Sequence, residues 1–117
     1  MPWTVEVTEE FETWWNERSD DERVSIDGMI RVLETHGPAL GTPYTADVAD
    51  SKHQLRQLLV PHQAQQICVL YVVEDARAAL VLLTGTTAGT IEEACPPDHV
   101  ALAETVYERY VTRRTDS

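Results

Sequence analysis

The sequence predicts an α+β fold, with an N-terminal strand and a helical hairpin packed on a small, mostly antiparallel sheet, and a C-terminal helix. Three observations carry that expectation. Apolar and polar residues alternate over Trp3-Thr4-Val5-Glu6-Val7; the apolar period then becomes helical between Thr8 and Gly37; and from Leu55 to Thr84 it shortens to two before a last helical stripe follows Pro97. No internal repeat or composition break divides the 117 residues, so one domain spanning 1–117 is expected, large enough to bury roughly two-thirds of the surface of its unfolded chain.

Each element has a local reason. Thr8 can cap a helix whose first turn carries Glu9 and Glu10, where carboxylates suit the helix dipole, and Phe11, Trp14 and Trp15 then share one face before the helix ends near Arg18. Ser19-Asp20-Asp21-Glu22 has capping-box form, and Ile26, Met29, Ile30 and Leu33 continue at helical spacing until Gly37-Pro38 stops them. Pro38 to Asp50 has no sustained period and is expected to cross the surface as a loop. Leu55–Val60, Ile67–Val73 and Ala79–Thr84 are runs of Val, Ile and Leu separated by Pro61-His62 and Glu74-Asp75-Ala76-Arg77, which predicts an antiparallel meander. The last two runs are apolar on both faces and should be covered, most simply by the helical hairpin. After Gly85 to Gly89, Pro97 suits the first turn of a helix with Val100, Ala103, Val106, Tyr107 and Tyr110 as its apolar stripe.

Composition narrows the function. Nine basic residues stand against twenty acidic ones, a formal net charge of -11, which argues against an extended phosphate-binding face. The first twenty residues lack a basic start followed by an apolar stretch, and nothing is long and apolar enough to span a bilayer, so a cytoplasmic protein without membrane contact is expected. Cys68 and Cys95 have neither the number nor the spacing of a disulfide framework or a zinc site, so no metal and no cofactor is expected. The chain's single lysine, Lys52, sits in Ser51-Lys52-His53-Gln54-Leu55-Arg56, where the meander begins.

The order of elements and two stretches of sequence resemble the RelE/ParE superfamily of bacterial toxins, in its HigB or phage Gp49-like branch. The residues that carry the resemblance are Trp3, Val5, Phe11 and Trp14, the stretch Leu33-Glu34-Thr35-His36-Gly37-Pro38-Ala39-Leu40-Gly41-Thr42-Pro43, the stretch Ser51 to Arg56, Val69-Leu70-Tyr71, and Leu80-Val81-Leu82-Leu83. The resemblance implies a RelE-like fold and the toxin component of a type II toxin–antitoxin system. Members commonly act as ribosome-dependent mRNA endonucleases, a metal-free chemistry in which a ribose 2′-hydroxyl attacks the adjoining phosphate, whereas ParE relatives poison gyrase. It also implies three partners: a small DNA-binding antitoxin, and, for an active enzyme, the ribosome and mRNA.

On that resemblance Arg56 falls on the family's arginine, with Lys52 and His53 just upstream, and these three are the candidate catalytic residues. A guanidinium grips a phosphate through two parallel hydrogen bonds, and a histidine exchanges protons near neutral pH. The alternative for the same residues is that Arg56 pairs with a nearby carboxylate while Lys52 and His53 solvate a strand edge. Two family positions depart. Cys68 stands where relatives carry an arginine, and Thr84-Gly85-Thr86-Thr87-Ala88-Gly89-Thr90 replaces a basic turn; Thr84, Thr86 and Thr87 are the candidate RNA contacts there, able to hydrogen-bond a phosphate but not to neutralise it. The alternative function is therefore a non-catalytic binding or regulatory module on the same fold. The acidic charge bears on the partner too: two strongly acidic chains repel, so the antitoxin segment is expected to be basic or to dock through apolar helix-in-groove contact.

His36, His62 and His99 match no triad or metal set, and Trp14, Trp15, Tyr107 and Tyr110 read as packing residues before base-stacking ones.

Overall fold

The period change at Thr8 is where the chain turns from strand to helix in the computed structural model, which describes residues 3–41, 44–48, 51–63, 65–88 and 97–116. Strand β1 (Thr4–Val7) leads into α1 (Glu9–Asn16), capped by Thr8, whose hydroxyl accepts from the Phe11 amide. Helix α2 (Asp20–His36) opens on the full capping box between Ser19 and Glu22. Then come β2 (Thr45–Asp47), β3 (Arg56–His62), β4 (Gln65–Glu74), β5 (Ala79–Ala88) and α3 (Pro97–Asp116).

The five strands form one sheet in the order β1-β5-β4-β3-β2, antiparallel except where β1 runs parallel to β5. Helices cover both faces, not only one. Phe11, Ile26 and Leu33 from the hairpin pack with Leu58, Val60, Ile67, Val69, Tyr71, Leu80 and Leu82; on the other face Ala103 and Val106 of α3 pack on Leu55, Cys68, Leu70, Val72, Val81 and Leu83. That two-sided burial is why the central strands are apolar throughout.

The sheet is larger than the periodicity indicates. Thr45–Asp47 lies in the stretch expected to be loop, yet it pairs with Arg56–Leu58 as a fifth strand. Three residues show no detectable period, and their pairing is fixed by contacts distant in sequence. Pro61-His62, expected as a turn, continues β3 against Gln65 and Gln66. Proline is tolerated there because, among the described residues, no β2 pair extends beyond Leu58, so Pro61 lies on the edge of the sheet. Strand β5 runs on to Ala88 through the residues expected as a turn, with Gly85, Thr86 and Thr87 opposite Val69, Cys68 and Ile67. Gly89, Thr90 and Cys95 lie outside the described residues. Cys68 itself is fully buried and disulfide-bonded.

Two glycines are held by tryptophans. Gly37 ends α2 with φ of 55°, and a Cβ there would lie 2.2 Å from Trp3 Nε1. Gly85 lies under Trp14, whose ring carbons would stand 2.5–2.7 Å from an added Cβ and cannot retreat, since the ring also packs on Phe11 at 5.6 Å. Gly85→Ala is therefore expected to cost about 1–3 kcal/mol by overpacking, read as a lower denaturation midpoint with an unchanged denaturant slope. Full wild-type stability would contradict this packing.

Candidate functional site

Lys52 and His53 stand on the β2–β3 connection because Ser51 closes that turn: its hydroxyl accepts from the Leu55 amide at 2.8 Å, and Leu55 is then driven into the α3-side core. From this anchor both residues meet α3. Lys52 Nζ lies 2.9 Å from Glu108 Oε2 and His53 Nε2 lies 2.8 Å from the same oxygen. The His53 amide donates to Glu104 Oε1 at 3.0 Å, and its ring meets Tyr107 edge-on at 5.3 Å. Hydrogen bonds from His53 and then Lys52 hold the Glu108 carboxyl below its ordinary range, and Glu108 raises Lys52 in return. Beside the turn opens a cleft of about 320 Å³ lined by Asp47, Val48, Ser51, Gln54 and Leu55.

Arg56 does not join them. Side chains alternate across a strand, so the residue after Leu55 projects to the hairpin side of the sheet. There its Nε donates to the Tyr71 hydroxyl at 3.2 Å and its Nη2 to Thr45 Oγ1 at 3.1 Å, while Nη1 pairs with the Asp47 carboxylate. Tyr71 is fully buried, and burial pushes its phenol up while Arg56 opposes the shift. One guanidinium thus ties β2, β3 and β4 together. The structure brings Lys52 and His53 together on Glu108 and places Arg56 apart from them, in contact with the Asp47 carboxylate.

The threonines also divide. Thr84 is buried and Thr86 half-buried, opposite Leu70 and Cys68 on the α3 side; Thr87 is exposed, opposite Ile67 on the hairpin side. They do not make one row of hydroxyls. Cys68, disulfide-bonded inside the α3-side core, leaves no cation at that position. Among the other histidines, His62 Nδ1 meets Ser25 Oγ at 2.8 Å. Among the described residues no group of three His, Cys, Asp or Glu side chains could hold a metal ion, and no helix is long and apolar enough to cross a membrane.

The residues that sequence reasoning missed are the acidic ones facing the cation pair. Glu104 and Glu108 are four apart with Tyr107 between them, so they share a helix face, and that spacing was the available signal. A second polar knot holds the same helix farther along. Glu74, at the end of β4, accepts from Tyr107, Arg77 and both terminal nitrogens of Arg114, while Glu6 of β1 accepts from Tyr110 and Arg77. Burial would raise the Glu74 carboxyl, but the hydrogen bonds from Arg114, Tyr107 and Arg77 prevail and hold it down at about 2. Burial, and then Glu74 itself, push the Tyr107 phenol up to about 12. Tyr107 and Tyr110 therefore use their hydroxyls to fasten α3 across the sheet.

The sequence pattern of the phage-derived protein Gp49-like family matches residues 13–108. The chain belongs to that family. It is 35% identical over 79 residues to a Mycobacterium tuberculosis protein named toxin HigB3, an alignment covering 67% of this chain and 68% of the relative. It is 33% identical over 89 residues to toxin HigB2 of the same organism, covering 74% of this chain but 44% of HigB2, so it spans less than half of that relative's length. Among solved structures it resembles a mutant of the E. coli toxin RelE in the free state, with TM-score 0.56, 13% identity and coverage of 97% of this chain and 98% of RelE. It also resembles a chain of the intact E. coli RelBE toxin–antitoxin complex, with TM-score 0.53, 12% identity and coverage of 74% and 98%. The mixed sheet with a helical hairpin and C-terminal helix is the RelE fold. In the two stretches that marked the family in this Gp49-like chain, Leu33 and Leu40 are buried, Gly37 lies against Trp3, Ser51 accepts from the Leu55 amide, and Arg56 donates to Tyr71.

Proposed function

We propose that this Gp49-like chain is the toxin of a type II toxin–antitoxin system, a cytoplasmic single-domain protein that cleaves mRNA on the ribosome, with Lys52 and His53 as its reacting pair. The observation that carries the reading is their convergence, 2.9 and 2.8 Å, on one carboxylate oxygen of Glu108. A site that gathers an ammonium and an imidazole around one anionic oxygen has the complementarity needed for a phosphate oxygen. An incoming RNA phosphate would displace Glu108; Lys52 would then stabilise charge on the phosphate oxygens, and His53 would take the proton of the 2′-hydroxyl as the 2′-O–P bond forms and give it to the 5′-oxygen that leaves as the P–O5′ bond breaks. No metal or cofactor enters this chemistry. Family membership and the HigB relatives support the toxin reading, and the fold shared with a chain of the RelBE complex supports an antitoxin partner.

Induced expression in a bacterial host is expected to arrest growth, and purified protein added to programmed ribosomes to cut mRNA at codon boundaries. Arrest without RNA cleavage would favour the second reading, a non-catalytic member that works through its partner. Its supporting observation is Arg56, whose three hydrogen-bonding nitrogens are committed to Tyr71, Thr45 and Asp47. Normal growth with well-expressed, folded protein would overturn the toxin reading itself.

A further inference from the structure

The cleft beside the β2–β3 turn, about 320 Å³, lies at the small end of the range for ligand sites. Two of its walls are apolar. Val48 is half-buried and Leu55 is buried, and the Val48 amide donates to the Leu55 carbonyl at 3.0 Å, which fixes their spacing. Its polar groups come from Asp47, Ser51 and Gln54. Apolar walls with a polar rim suit a planar heterocycle, whose faces are apolar and whose edge carries the hydrogen-bonding groups. Ser51 and Gln54 bracket Lys52 and His53 in the sequence, so the turn that presents the reacting pair also lines the cleft. Gln54 has φ of 56°, a left-handed backbone that glycine adopts freely and a long side chain adopts rarely; residues held this way gather at binding and active sites.

The Asp47 carboxylate selects among heterocycles. Its side chain is 82% exposed and one oxygen accepts from Arg56 Nη1, which leaves acceptor capacity on both oxygens. The same contact offsets its negative charge, so an RNA chain is not repelled there. Two carboxylate oxygens complement two adjacent donors, and among the RNA bases only guanine presents them, as N1–H and N2–H on its Watson–Crick edge. Adenine and cytosine offer one amino donor beside a ring acceptor, and uracil one ring donor between two acceptors, so each would set a lone pair against a carboxylate oxygen. Guanine O6, next to N1–H, accepts a hydrogen bond that the Gln54 amide can supply; the Ser51 hydroxyl can supply it too, since Ser51 only accepts in its bond with the Leu55 amide.

We infer that this cleft takes the base of a guanine nucleotide adjoining the phosphate held by Lys52 and His53, with Asp47 reading its N1–H and N2–H donors, so that cleavage selects for guanine next to the cut. The inference rests on the ribonuclease reading and adds to it the base specificity and the residues that set it.

The test uses the full chain on programmed ribosomes, with messages that differ in a single codon base and with the ends of the products mapped. Wild-type protein is expected to cut about tenfold or more faster where guanine adjoins the cut than where adenine does. Asp47→Asn, which replaces one acceptor oxygen with a donor, is expected to bring that ratio down to near one. Gln54→Gly, which suits the left-handed backbone and removes only the side chain, is expected to lower it several-fold. The ratio compares two messages cut by one preparation, so partial unfolding of a variant does not change it. A wild-type ratio near one, or a preference for another base, would overturn the guanine site while leaving the ribonuclease reading in place. A guanine preference that Asp47→Asn retains would do the same and assign the choice to the ribosome. Failure of folded wild-type protein to cut any message would instead bring down the ribonuclease reading, and this inference with it.

Discussion

Glu74→Gln is expected to lower the melting temperature at neutral pH by roughly 8 °C and to remove much of the protein's acid sensitivity between about pH 4.5 and 2. The Glu74 side chain is only 11% exposed and receives hydrogen bonds from Arg77, Arg114 and Tyr107, which hold its carboxyl at about 2 against an ordinary 4.5. Because the folded value lies below the unfolded one, the stabilisation is complete above about pH 4.5. It is lost as pH falls through about 2. A shift of that size, discounted because both arginines are more than a third exposed or close to it, is worth roughly 2 kcal/mol. The glutamine keeps the shape and loses the charge, leaving two guanidiniums without their shared anion. Thermal melts of both proteins from pH 7 down to pH 2 should converge at the acid end. Parallel curves across the whole range would show that Glu74 is not the group that titrates.

Lys52→Ala and His53→Ala together are expected to reduce mRNA cleavage on the ribosome by roughly 10²–10⁴-fold, the usual contribution of a positioned proton-transfer group. The Lys52 change by itself should barely move the melting temperature, since Lys52 is mostly exposed and its partner Glu108 is also solvated, whereas the His53 change removes a half-buried ring from Tyr107, so cleavage by the double variant is read beside its melting curve. Glu108→Gln should act in the opposite direction: with the carboxylate neutralised, the cation pair is released to an incoming phosphate, and cleavage should rise several-fold. Cleavage that falls in Glu108→Gln would mean that Glu108 orients His53 and does not compete with the substrate. Arg56→Ala belongs to a different class of experiment. Its guanidinium joins three strands, so its loss is expected to lower stability first, and any loss of toxicity has to be read beside a melting curve.

The helices and the central strands were legible in the sequence because their signals are local. Thr8 and Ser19 cap what they are expected to cap, Gly37 ends α2, and the runs at Ile67 and Ala79 are strands. Strand β2 was not legible: three residues carry no measurable period, and Thr45 belongs to the sheet only because Leu58 lies opposite it. The extent of β5 failed for a related reason. Gly85-Thr86-Thr87 is turn-like by composition, and it is extended because β4 offers a ladder as far as Gln66 and Trp14 needs the space above Gly85.

The candidate site divides along the same line. Lys52, His53 and Arg56 were identifiable as rare cations in an acidic chain, but strand alternation turns Arg56 to one face while the β2–β3 turn delivers Lys52 and His53 to the other. Glu104 and Glu108 lie more than fifty residues downstream, and Glu74 and Arg114 forty apart, so their pairings were invisible before the sheet brought α3 back across it. The sequence by itself determined which segments become helices and central strands, because caps and apolar periods act within a few residues. Only the tertiary structure decided which cations share a site and which carboxylate holds them, because those outcomes depend on the faces that distant segments present to one another.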